Sequence, residues 1–126
     1  MVEWKKMKAS EIELEADEVA VITVSTDWCG PCKTLEKESL EVIADLEHQS
    51  EEELDNLTLI IIDGDEPENE GFMDMFNVDG FPFWFVMYGV MDEEAGEVVI
   101  TPVYVGQFGW PHNGRELLAQ LLMSLL

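Results

Sequence analysis

Two short runs of apolar and β-branched residues, Val19–Ser25 (VAVITVS) and Leu57–Ile62 (LTLIII), lie either side of a stretch whose apolar residues recur at helical spacing. No other feature of the sequence restricts the fold as much. Runs without polar alternation read as strands buried on both faces. Between them Leu35, Ser39, Val42, Ile43 and Leu46 share one stripe, with Glu36, Lys37, Glu41 and Glu47 mostly elsewhere. A strand, helix, strand unit closes by a right-handed crossover, which sets the two strands parallel.

The remaining segments extend this unit. His48–Asn56 is polar and acidic and reads as a loop with at most one helical turn; Asp63–Glu70 (DGDEPENE) reads as a turn leading into a short helix around Gly71–Phe76. Phe83–Tyr88 and Val98–Val105 read as strands joined across Asp92–Gly96, a hairpin with a longer loop. In the last helix Asn113 and Glu116 have capping-box spacing, and Leu117, Leu118, Leu121, Leu122 and Leu125 make one core-facing stripe. Met1–Asp17 has room for one edge strand. The expected fold is α/β, a central mixed sheet of four to five strands with helices on both faces. No linker or repeat divides the 126 residues, so one domain over 1–126 is expected.

Charge narrows the partners. Against 28 Asp and Glu stand 6 Lys and Arg, a net charge of −22. That field repels nucleic-acid phosphates and anionic membranes and would favour basic client proteins, although a solubility coat or an adaptation to salty surroundings is the simpler reading. The longest apolar run, Phe81–Met91, is interrupted by Pro82 and Gly89 and falls short of the roughly 20 residues of a spanning helix. Lys5, Lys6 and Lys8 are followed by Glu11, Glu13 and Glu15 and not by the apolar core of a secretion signal. A cytoplasmic, monomeric protein is the expectation.

The two cysteines, Cys29 and Cys32, stand three positions apart, where the first strand run gives way to the helical stripe. A disulfide-stapled secreted domain carries more bridges over longer loops. Cys29 at a helix N-terminus meets unpaired N–H groups and the positive end of the macrodipole, which stabilise a thiolate. Pro31 suits the first turn, where its missing N–H has no partner to lose. Counting back from Leu35 and Ser39 puts Cys32 on the inward stripe, so Cys29 is expected to be the exposed nucleophile and Cys32 the resolving thiol. Attack by Cys29 on a disulfide would form a mixed disulfide, and Cys32, one turn away, would then displace the product. Zinc needs two further ligands, and His48 and His112 lack the spacing of common zinc modules. Asp63, Asp65 and Glu68–Glu70 suggest a calcium loop, but Glu68 takes the place of the turn glycine and Asp74 that of the final Glu.

The run Trp28-Cys29-Gly30-Pro31-Cys32-Lys33 is identical to the active-site motif of the thioredoxin family, and Val78-Asp79-Gly80-Phe81-Pro82 resembles that family's cis-proline loop. The resemblance covers the chain from about Val19 onward. It implies that Trp28, Gly30 and Pro31 support the cysteines and that Pro82 is cis and packs beside them. It also implies that the backbone of Phe81 pairs with an extended client, and that Val105-Gly106 completes the client groove. Trp28 and Phe81 are candidates to line that groove, and His112 reads as an ordinary loop histidine. No cofactor is implied beyond the redox-active Cys29–Cys32 disulfide. The implied partners are disulfide-bearing clients and a thioredoxin reductase or other dithiol donor.

The chain also departs from the pattern. Thr23 stands where the family buries an aspartate, no lysine appears near the second strand, Lys37 replaces a helix-kinking proline, and Phe83 replaces a small polar residue after the cis-proline. The stretches His48–Asn56 and Met91–Glu97 are longer than the family norm. The expected activity is thiol–disulfide oxidoreduction, as a disulfide reductase. The alternatives are an isomerase or oxidant, or a thioredoxin-fold binding subunit of a larger assembly.

Overall fold

The computed structural model describes residues 2–51 and 54–126, with the side chains of 105–108 outside that description. Five strands form one mixed sheet: β1 (Trp4–Lys6), β2 (Val19–Ser25), β3 (Leu57–Asp63), β4 (Phe83–Asp92) and β5 (Glu97–Phe108), in the order β1-β3-β2-β4-β5. The two apolar runs pair in parallel with Val19 opposite Leu57 and Ser25 opposite Asp63, as a right-handed crossover through α1 (Gly30–Ser50) requires. β4 pairs antiparallel to β2, and β5 to β4. The N-terminal segment supplies β1, parallel to β3 at the edge.

Alternation along β2 divides the core. Val19 and Val21, with Trp84 and Val86 of β4, pack against Leu35, Val42 and Ile43 of α1 and Leu118 and Leu122 of α3 (Gly114–Leu125). Ala20, Ile22 and Val24 face the other way, onto a layer that includes Phe72 and Met73 of α2 (Glu70–Met75) and Ile12 and Leu14 of the N-terminal segment. Helices therefore cover both faces. Edge-on ring contacts of Phe85 with Phe72 and Phe76 fix α2 on the sheet.

Two sequence expectations need correction, and a third is sharpened. The acidic stretch read as a loop with at most one helical turn continues α1 as far as Ser50, and Glu51 closes the helix in the left-handed conformation at φ 58°. Its polar residues occupy outward positions of a helix whose inward side Leu46 still packs on the core. Residues 52 and 53 of that stretch lie outside the described residues. At α3 the Asn113 side chain makes no capping bond, because its backbone sits at φ −93°, ψ 19°, away from the extended conformation a capping residue needs. The hairpin strands, finally, run well past Tyr88 and begin at Glu97, leaving a short turn between them.

The segment before β2 is tied across β4. The Asp17 N–H donates to the Gly89 carbonyl, the Gly89 N–H donates to the Glu18 carbonyl (2.9 Å each), and the Tyr88 hydroxyl donates to Asp17 at 2.7 Å. That last bond favours the protonated phenol and raises the Tyr88 pKa above its ordinary value of 10.0. A Cβ at Gly89 would collide with the Glu15 carbonyl oxygen, a backbone atom with little room to yield. Gly89→Ala is therefore expected to cost about 1–3 kcal/mol of stability, read as a lower urea midpoint with an unchanged slope.

Candidate active site

The end of β2 delivers the cysteines. After Ser25 the chain turns through Thr26 and Asp27, the Cys29 N–H donates to the Thr26 carbonyl at 3.3 Å, and Cys29 becomes the residue that caps α1. Gly30 and Pro31 form the first turn, and Pro31 costs no hydrogen bond there. Cys29 and Cys32 are disulfide-bonded with their Cα atoms 5.3 Å apart. The Cys32 N–H donates to the Cys29 sulfur at 3.2 Å. A helix N-terminus thus points an amide at the sulfur where negative charge would collect on reduction.

The two sulfurs are not equally placed, but neither stands in open solvent. Cys32 is fully buried, as the helical phase required, whereas Cys29 is 5% exposed and not openly exposed as expected. The outer sulfur lies against the first turn, where the Cys32 N–H meets it. Access is through Cys29 alone.

Aromatic side chains shape the mouth. Trp28 is 70% exposed, and its indole N–H donates to Asp65 at 3.0 Å. The Phe81 ring meets Trp28 edge-on with centroids 5.9 Å apart and lies so close over Gly64 that a Cβ there would have to push the ring aside. The Phe81–Pro82 peptide bond is cis, and Pro82 is buried at the start of β4. Val105 and Gly106 lie in β5, but their side-chain positions fall outside the described residues.

Asp63 and Asp65 had suggested a calcium loop; here they serve other contacts. The Asp63 carboxylate accepts the Asp65 N–H at 2.9 Å and lies 3.6 Å from the Lys6 ammonium, while Asp65 holds Trp28. Asn69, 1% exposed, pins this loop by donating to the Asp63 carbonyl and accepting the Ala9 N–H, each at 2.9 Å. Lys8 reaches Glu68 at 2.8 Å, and that carboxylate raises the Lys8 pKa. His112 is exposed on the loop before α3.

Two residues here escaped the sequence reading. Asp65 anchors the mouth tryptophan, and no local pattern links positions 28 and 65. Glu36 was assigned to the outer side of α1, yet its side chain is only 15% exposed. Its carboxylate lies 3.5 Å from the Ser25 hydroxyl and 3.9 Å from Lys33, and its carbonyl accepts the Trp4 indole N–H at 3.0 Å. The spacing of Lys33 and Glu36 was the available signal. Asp27, 90% exposed, sits in the turn at 3.9 Å from Lys6.

Among the described residues no charged side chain is buried. The buried polar residues are Thr23, Ser25, Thr26, Ser39 and Asn69, with no carboxylate among them. The hydroxyls of Thr23, Thr26 and Ser39 have no partner among the described residues. A buried hydroxyl without a partner is destabilising. Thr23→Val keeps the shape and is expected to raise stability by about 1 kcal/mol, with no loss of disulfide-reducing turnover, checked by urea unfolding and an insulin reduction assay side by side.

The family model for thioredoxin matches residues 3–99. Among solved structures, chloroplastic thioredoxin z is similar over 99% of this chain and 96% of its own, with TM-score 0.59 and 17% identity. The Trx4 domain of ERdj5 is similar over 98% and 96%, with TM-score 0.60 and 12% identity. A thioredoxin f2 structure, solved as a complex with ferredoxin:thioredoxin reductase, is similar over 97% and 94%, with TM-score 0.57 and 15% identity. At these identities the likeness is one of fold. No curated protein matches. Among the described residues no helix is long and apolar enough to cross a membrane.

Proposed function

The chain belongs to the thioredoxin family, and from that premise we propose that this thiol–disulfide oxidoreductase works as a protein-disulfide reductase in a reducing, cytoplasmic setting. The observation that carries the reading is the Cys29–Cys32 disulfide at the start of α1, with the Cys32 N–H directed at the outer sulfur. Gly30 and Pro31 between the cysteines support reduction over oxidation or isomerisation.

In this reading the reduced Cys29 thiolate attacks one sulfur of a client disulfide. A bond forms between them, the client S–S bond breaks, and the departing client thiolate takes a proton from solvent. Cys32 then gives up its proton to solvent and attacks the Cys29 sulfur, which breaks the mixed disulfide, releases the second client thiolate and leaves the Cys29–Cys32 bridge. An external dithiol, such as a thioredoxin reductase, returns two electrons, and no further cofactor is needed. Cys32 acts as an intramolecular nucleophile because the first turn of α1 keeps it beside Cys29.

Trp28 and Phe81 line the client surface and Pro82 packs beside the cysteines, with the Phe81 backbone and Val105-Gly106 bordering an extended client chain. Clients of basic character are favoured by the net charge of −22, so their reduction slows as salt screens the attraction. Thr23 cannot serve as a base near neutral pH, so the proton of Cys32 leaves without a carboxylate beneath it.

Cys29→Ser is expected to abolish insulin reduction, and Cys32→Ser to accumulate mixed disulfides that a reducing gel resolves. Equal turnover by wild type and Cys29→Ser would refute the mechanism. The potential of the pair, measured against glutathione, separates the roles: about −270 mV for a reductase, about −120 mV for an oxidant.

A further inference from the structure

The second end of the sheet carries a surface unrelated to the cysteines. β5 is an edge strand, with β4 as its neighbour on one side. The β4–β5 hairpin continues beyond the last β2 contact at Tyr88, pairing Val90 with Val99, Met91 with Val98 and Asp92 with Glu97. Val90, Met91 and Val99 are exposed to between 43% and 49%. A free edge flanked by exposed aliphatic residues is a template for another strand. Pro102, which has no N–H, limits the usable edge to Glu97–Thr101.

The two faces beside this edge differ. On the α2 side, Phe72, Met75, Phe76, Met87, Ile100 and Pro102 line an apolar groove of about 200 Å³, and Met75 is 73% exposed at its rim. On the opposite side Val99 is followed along the hairpin by the facing pair Asp92 and Glu97, with Glu93 and Glu94 at the turn. None of the six Lys and Arg lies on α2, β4 or β5.

We propose that the β5 edge over Glu97–Thr101 accepts an added strand from a partner protein, in a segment where apolar residues alternate with lysine or arginine. Main-chain pairing supplies affinity, and alternate side chains supply selectivity. Apolar residues of the added strand enter the groove beside Met75, whose flexible thioether adapts to their shape. The basic residues on its other face lay their methylene stems over Val99 and carry their charge to Glu97 and Asp92. A second copy of this chain fits poorly: edge-to-edge pairing would bring two such acidic hairpins together, each on a chain of charge −22. The site is independent of the disulfide chemistry.

The test uses the full oxidised chain and two synthetic peptides of equal composition, one alternating lysine and valine, the other with its lysines and valines in separate blocks. The alternating peptide is expected to saturate, to shift amide resonances at Glu97–Thr101 and α2, and to bind about tenfold tighter than the block peptide. Met75→Asn is expected to weaken it about tenfold while insulin reduction is unchanged. Equal affinity for both peptides, or shifts centred on Trp28 and Phe81, would overturn the proposal. So would sedimentation equilibrium showing self-association that Val99→Lys abolishes, which would assign the edge to a second copy.

Discussion

Strand β2 has no solvent-facing side: all seven of its residues are buried, between β3 and β4 laterally and between helices above and below. Its register is therefore set by two apolar layers at once, since a slip of one residue would exchange Val19 and Val21 with Ala20 and Ile22 between differently shaped pockets. That constraint fixes where the strand ends. The turn after Ser25 has to rise over the sheet and enter α1, and α1 is held in phase by Leu35, Val42 and Ile43. Cys29 lands at the helix tip and Cys32 beneath it because the strand below and the stripe beyond leave no other register. The reactive pair is thus positioned by the part of the molecule least able to move.

Around this rigid pair the mouth is assembled from distant segments. Trp28 is held by Asp65, Asp65 by a turn that Asn69 pins, and Asn69 by the N-terminal backbone at Ala9. Phe81 completes the rim by packing over Gly64. Each contact is modest alone, yet together they join three loops, so the position of an exposed tryptophan depends on residues far from it in sequence. The surrounding acid is not inert either: Lys6 lies near both Asp27 and Asp63, which ties the edge strand β1 to the turns on either side of the site.

The elements governed by periodicity were legible from the amino-acid order. The parallel pair, the α1 stripe, the hairpin and the apolar face of α3 follow from spacing, and the cysteine motif together with the phase of the stripe placed both sulfurs relative to the helix. What escaped depends on solvation and on contacts between distant segments. The last turn of α1 is polar because it faces water, so composition allowed a helical turn there without fixing where the helix ends. Asn113 has the right neighbour for a capping box but the wrong backbone angles. Glu36 looked like a surface residue until Ser25 and Trp4 closed over it. The burial of Cys29 depends on the segments packed around the helix tip, which spacing along the chain does not record.

In the proposed mechanism the amide at the start of α1 carries the activation of Cys29, and this is where the chemistry stands or fails. The most direct measurement is the pH dependence of iodoacetamide alkylation of the reduced protein, with each modified cysteine identified by peptide mapping. The expected result is alkylation of Cys29 ahead of Cys32, with a midpoint below the ordinary thiol value of about 8.5. Equal modification of the two thiols, or a midpoint at or above that value, would contradict it.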